Sequence, residues 1–210
     1  DNGLILTHNG HVVTIGKASQ ITLPKDCELY DFGDACLIPG LINCHAHLDL
    51  SILAGKTSWQ NGFTPWLKSL IPLLPRGQYE SGDLRAATRM AIDGLARSGT
   101  HAVGNIAGSA AGLLADTDQY AKSQGVTLTH FCEWFGFPQE QPDTSPWPER
   151  IRSELEDDAS LVASAQPAGH ALYSTAEERL CSAHEYCLEH DRVFSFHLAE
   201  SPEETELLTS

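Results

Sequence analysis

Two histidines separated by one residue, His45-Ala46-His47, stand at the end of an apolar run, Leu41 to Leu48, that reads as a β-strand. Side chains at i and i+2 of a strand point to the same face, so both imidazoles can converge on one ion. Neutral imidazole is a good ligand for zinc and other divalent transition metals. A third histidine, His197, ends another such run, Val193 to His197, and Glu200 follows in the next loop. A carboxylate so placed can shuttle protons beside a metal-activated water. His170, in Gly169-His170-Ala171-Leu172-Tyr173, ends a further run and is a candidate substrate contact or additional ligand. The chain has 10 histidines, so an isolated H-x-H pair says little by itself, and placement at strand ends carries the argument.

The elements that must hold these residues begin with a β unit. Leu4-Ile5-Leu6-Thr7 leads through Asn9-Gly10, a strong hairpin signal, into Val12-Val13-Thr14-Ile15. Residues 21–23, 28–32 and 35–38 continue the short-strand pattern. From Pro39-Gly40 the rhythm changes to strands alternating with helices. Strands are expected over 41–48, 100–106, 126–135, within 161–172 and over 193–197. Helices are expected over 64–74, 83–98, 111–123, 149–158 and 175–189, and again from Pro202. Gly99 and Gly125 supply helix stops, and Thr175 with Glu178 has the spacing of a capping box.

This alternation means β/α units on a parallel sheet. The expected fold class is α/β, the N-terminal part of a (β/α)8 barrel with about five of its eight units, preceded by strands of a small β-sandwich. The domains divide as 1–38, a small β segment, and 39–210, an incomplete barrel. An open doubly wound sheet is the rival, but it usually carries a glycine-rich phosphate turn after its first strand, and residues 39–49 have none. In a barrel the C-terminal ends of the strands carry the active site, which is where His45, His47, His170 and His197 fall.

Composition sets the outer limits. Among 210 residues, 13 Lys and Arg face 28 Asp and Glu, a net charge of −15. That excess argues against a nucleic-acid surface and against adsorption to anionic membrane. No run approaches the ~20 apolar residues of a spanning helix, and the start lacks the pattern of a signal peptide. The six cysteines form no C-x-x-C pair and read as reduced thiols of a cytoplasmic protein, with Cys44 a small buried hydrophobe. Trp66 and Trp134 can shape a heterocycle pocket or pack in the core. The acidic run 154–158 reads as a solvated helix end, and the other six histidines as structural or exposed.

Several segments together carry a family resemblance. Pro39-Gly40-Leu41-Ile42-Asn43-Cys44-His45-Ala46-His47-Leu48 resembles the first-strand signature of the amidohydrolase superfamily. His170-Ala171-Leu172-Tyr173-Ser174-Thr175 resembles the fourth-strand motif of its deaminase and chlorohydrolase branch, and His197-Leu198-Ala199-Glu200-Ser201 with Glu204 the fifth. Ser98-Gly99-Thr100 and Trp66-Leu67 also fit. The resemblance implies one divalent metal ion, zinc ahead of iron, held by His45, His47 and His197. It further implies proton transfer by Glu200, substrate contact by His170, and Trp66 in the loop after the first strand. The implied reaction is hydrolytic release of ammonia from an amidine-like carbon of a small heterocycle of the adenine-nucleoside type. A chlorohydrolase or other cyclic-amidine hydrolase is the alternative within the superfamily, and a non-catalytic fragment the alternative outside it. His47-Leu48-Asp49-Leu50-Ser51 and Phe63-Thr64-Pro65-Trp66-Leu67 look most like aminodeoxyfutalosine deaminases of menaquinone biosynthesis.

Two departures stand out. Gly169-His170-Ala171-Leu172-Tyr173 replaces a common Pro-His-Ala-Pro-Tyr, and Asn105 stands where Asp is frequent. The family's sixth-strand histidine and eighth-strand aspartate have no counterpart in the 210 residues. A barrel short of three units leaves strand edges and apolar faces uncovered. The expectation is therefore a fragment, inactive alone, closed by further chain or within a homo-oligomer.

Overall fold

The computed structural model describes residues 2–75, 77–108, 113–136 and 145–210. Its chain divides into two compact units, Asp1–Ile38 and Pro39–Ser210.

In the first unit, strands β1 (Gly3–His8) and β2 (His11–Lys17) pair antiparallel. Asn9 (φ 49°) and Gly10 (φ 78°) form the turn, the positive-φ pair that matches the twist of a two-residue hairpin. The short strands expected over 21–23, 28–32 and 35–38 do not form. Their β-formers, Leu29, Tyr30, Phe32 and Ile38 among them, are exposed. Strand propensity is realised only when a neighbour accepts the ladder bonds, and the described residues offer those segments none.

The second unit is a four-stranded parallel sheet, in the order β3 (Leu41–Ala46), β4 (Thr100–Ala107), β5 (Thr127–Trp134), β6 (Ala165–Gly169). Helices α1 (Phe63–Leu70) and α2 (Ser81–Arg97) join β3 to β4, and α3 (Leu114–Ser123) joins β4 to β5. Two short helices, α4 (Glu149–Asp157) and α5 (Ala159–Ser164), lead into β6, which falls within 161–172 as expected. Two helices, α6 (Glu177–Glu189) and α7 (Pro202–Thr209), follow β6. Residues 111–112, where a helix is expected to start, and residues 137–144 lie outside the described residues.

Apolar side chains on one face of the sheet make two cores, and Ile106, Phe131 and Ala168 cluster on the other. Ile92, Val103, Ala121, Val126 and Leu128 pack α2 and α3 onto β4 and β5. Ile151, Leu155, Leu161 and Ala165 pack α4 and α5 beside Cys132. The capping box at Thr175 is not made: its hydroxyl donates to the Trp134 carbonyl at 2.9 Å, and Ala176 occupies the N-cap. That carbonyl also accepts the His170 N–H at 3.1 Å, so the hydroxyl completes a pair of donors inside the core instead of capping the helix.

Residues 193–197 do not form a full fifth strand. They run beside the end of β6 through a single parallel bridge, Ala171 to His197. Two backbone bonds hold them there, Gly169 N–H to Ser195 O at 3.1 Å and His197 N–H to His170 O at 2.6 Å. Cys44 is exposed rather than buried. It lies on β3, the edge strand, where Leu41 and Ile42 are also exposed, and nothing described packs over it.

Candidate functional site

The end of β3 is not regular. Asn43 pairs with Val103 and Ala46 with Asn105, so three steps on β3 oppose two on β4. Such a bulge turns side chains out of strict alternation. It is accommodated by Gly104, where a Cβ would stand 2.3 Å from the Cys44 carbonyl oxygen. The His45 N–H, displaced from the ladder, donates to Asn43 Oδ1 at 3.1 Å. His47 lies just beyond the strand, at the start of the 3-10 turn Leu48–Leu53. The i, i+2 spacing thus brings the two rings together through a bulge and a turn, and not along a flat strand.

A buried polar chain fixes that turn. Asn105 Oδ1 accepts the Leu48 N–H at 3.2 Å, and Thr88 Oγ1 donates to the Leu48 carbonyl at 3.2 Å. Asn105 Nδ2 meets His130 Nδ1 at 2.9 Å, a contact made possible because the two residues are register partners on β4 and β5. An amide nitrogen only donates, so His130 Nδ1 accepts and Nε2 carries the proton. Nε2 stands 3.7 Å from Asp118 Oδ1, and Asp118 in turn pairs with Lys122 at 2.5 Å.

His197 comes to the same place from the other side of the sheet. Its Nε2 is 3.2 Å from His45 Nε2, and His45 Nε2 is 3.2 Å from His47 Nε2. One nitrogen from each ring lies within 4.8 Å of the others. In a tetrahedron of ligands about 2.1 Å from zinc, nitrogens stand roughly 3.4 Å apart. The donor set therefore fits a divalent transition metal. Burial, then the neighbouring His197, His45 and His170, pushes the His47 pKa down to about 3, and burial with His197 lowers His45. Both rings are thereby kept neutral, the form that ligates.

Behind His197 lies Glu133, at the end of β5, which sequence reasoning passed over. Its Oε1 is 3.1 Å from His197 Nδ1, and its side chain is 2% exposed. Burial raises the Glu133 pKa against the pull of His197. Burial also pulls His197 down, but Glu133, Glu200 and the His170 carbonyl outweigh it and leave this imidazole raised. The signal that could have found Glu133 is a lone acid in the run Phe131-Cys132-Glu133-Trp134, one residue from a strand's C-terminal end.

His170 lies just past β6, its ring centroid 4.9 Å from that of His197, with Phe135 at 4.4 Å on another side. Its Nδ1 is tied to Ser174 Oγ at 2.5 Å, and burial with His197 pushes its pKa down to about 4. Glu200 is exposed. Tyr173 OH donates to its Oε2 at 2.7 Å, and its own N–H donates to Glu204 Oε2 at 2.6 Å. Ala199, in the left-handed region at φ 57°, makes the turn that precedes it. Trp66 on α1 packs with Trp59 and Phe63, at centroid distances of 5.1 and 5.8 Å, and its ring contacts are with these two rather than with the histidines. Trp134 is buried, its indole N–H bonded to the Pro146 carbonyl, so it serves the core.

No protein-family model matches the chain. Comparison with known proteins nonetheless finds relatives along almost all of it. A 5'-deoxyadenosine deaminase of Methanothrix thermoacetophila is 25% identical over 204 residues, 96% of this chain and 46% of that protein. The aminofutalosine deaminase of Helicobacter pylori, solved in complex with methylthio-coformycin, superposes with a TM-score of 0.62 at 26% identity, over 80% of this chain and 39% of that one. The chain is thus similar to deaminases along almost its whole length. An adenosine deaminase from Xanthomonas campestris, solved with bound zinc, shares the fold at 19% identity and a TM-score of 0.58, over 80% of this chain and 38% of that one. The chain spans about half the length of the curated relatives it matches. Among the described residues no helix is long and apolar enough to cross a membrane.

Proposed function

We propose that this chain supplies the metal-binding half of a hydrolytic deaminase acting on heterocyclic substrates of the adenine-nucleoside type. The observation that carries the reading is the meeting of His45, His47 and His197 nitrogens at 3.2 Å. It occurs at the C-terminal ends of parallel strands, in a chain similar to deaminases along 96% of its length. Read this way, the four-stranded sheet is an arc of a (β/α)8 barrel, and β1 and β2 are strands of an accompanying sandwich. Closure of the arc falls to further chain or to a second copy.

His45, His47 and His197 would hold one divalent ion, zinc ahead of iron. Such an ion supplies a nucleophile at neutral pH by lowering the pKa of a water to about 7. The remaining work falls to side chains of this chain. Glu200, held at Oε2 by Tyr173, carries a proton to the ring nitrogen beside the carbon under attack. Burial and the facing Glu200 push the Tyr173 phenol well up, so it stays a donor and keeps that carboxylate aimed. His170, neutral and backed by Ser174, offers its other nitrogen to the substrate. Trp66, Trp59 and Phe63 form an aromatic wall on which a purine can stack.

The test is ammonia release from a panel of adenine-type nucleosides, using the complete reading frame with wild-type sequence and with Glu200→Gln. Release by the wild type and a loss of at least about 100-fold in the variant are expected. Equal release by both would overturn the role of Glu200, and no release from any member of the panel would overturn the substrate class.

A further inference from the structure

Glu133 is the most deeply buried acid among the described residues, and the proposed reaction leaves it unused. Its side chain is 2% exposed, and neither carboxylate oxygen has a partner that meets full hydrogen-bond geometry. Gly108 makes room for it: a Cβ there would stand 2.5 Å from Glu133 Oε2 and 2.8 Å from the Phe135 ring. A carboxylate is costly to bury without a purpose. Glu133 Oε1 stands 3.1 Å from His197 Nδ1.

We propose that Glu133 is a positioning residue for the metal centre, orienting the His197 ring through Nδ1 so that Nε2 faces His45 and His47. This rests on the reading that the three histidines hold an ion. A ligating histidine ordinarily gives its second N–H to a carboxylate or a carbonyl, which sets tautomer and ring orientation. His197 has both at hand: Nδ1 bonds the His170 carbonyl at 3.0 Å, and Glu133 Oε1 stands 3.1 Å from the same nitrogen. The carbonyl is fixed by the bridge between Ala171 and His197. Glu133 arrives from a different strand and brings a carboxylate, a stronger acceptor than a carbonyl, to the same nitrogen.

Glu133, His170 and His197 are also close enough to suggest a second metal site of their own. The His170 carbonyl decides against it. An oxygen at 3.0 Å from Nδ1 requires a proton on that nitrogen, and a protonated nitrogen cannot ligate.

The experiment titrates cobalt(II) into the metal-free 210-residue chain, reading its visible absorption and affinity by chelator competition. Wild type, Glu133→Gln, Gly108→Ala and His45→Ala are compared, with thermal melting of each metal-free protein. The expected result is one ion per wild-type chain, a ten- to hundred-fold weaker affinity in Glu133→Gln with one ion still bound, and a metal-free melting temperature not lowered. A purely structural carboxylate would move the melting temperature and leave the affinity alone. Gly108→Ala, which displaces the carboxylate without changing it, should weaken binding in the same direction and serves if Glu133→Gln fails to fold. Affinity within two-fold of wild type in both variants overturns the proposal while leaving the three-histidine site standing. Two ions on wild type and one on Glu133→Gln overturn it in favour of a second site. No cobalt on wild type, or cobalt unmoved by His45→Ala, overturns the site and this proposal together.

Discussion

Asn105 offers the sharpest test of how the site is held. Asn105→Leu keeps the volume of the side chain, so no large cavity opens, but removes two buried partners at once. The Leu48 N–H loses its acceptor at 3.2 Å and His130 Nδ1 its donor at 2.9 Å. Asn105 is 3% exposed and His130 fully buried, so water cannot replace either bond. Each orphaned group costs about 1–3 kcal/mol, giving a loss of roughly 2–6 kcal/mol, with about 3 expected after relaxation. For a domain of this size that lowers the melting temperature by about 6–12 °C. Denaturant unfolding followed by tryptophan fluorescence reads the loss directly, since all four tryptophans lie in Pro39–Ser210. Asn105→Asp should cost less, about 1 kcal/mol. A carboxylate still accepts from Leu48 and can accept from His130 once that ring moves its proton to Nδ1. A loss below ~1 kcal/mol for Asn105→Leu would refute the network, because Leu48 and His130 would then have found other partners.

Three further outcomes follow from the same geometry. His130 and Lys122 hold the Asp118 carboxyl below its ordinary value of 3.8. Its contribution to stability is therefore complete above that value and is lost as pH falls through the lower folded value, and Asp118→Asn should flatten the acid limb of a stability-against-pH curve. Ser201 Oγ accepts the Glu204 N–H at the start of α7. Ser201→Ala should cost about 1 kcal/mol and, by loosening the Glu204 grip on the Glu200 N–H, lower kcat in the complete enzyme more than it raises KM. Tyr173→Phe removes the donor to Glu200 Oε2 and should reduce kcat with little change in KM, whereas an unchanged kcat would show that Tyr173 does not aim that carboxylate.

Much of the site was legible because its signals are local. His45 and His47 are close in sequence, and the hairpin at Asn9-Gly10, the helix stop at Gly99 (φ 80°) and the glycine-ended α3 are all set by neighbours. What escaped depends on partners far along the chain. Glu133 gains meaning only from His197, 64 residues on, and its own surroundings read as core. The Thr175 hydroxyl was claimed by Trp134, across the sheet, instead of by its helix. The bulge at residues 43–46 depends on Gly104 lying opposite. Strand-like residues over 21–38 and 193–197 met too little neighbouring edge to become strands, since a ladder is a property of two segments and propensity of one.

The central claim is that His45, His47 and His197 form one metal site. Its most direct test is metal content per chain, measured after purification in limiting zinc for wild type, His45→Ala and His197→Ala. One ion per wild-type chain, lost from both variants, is the predicted result. Metal content unchanged by either substitution would contradict it.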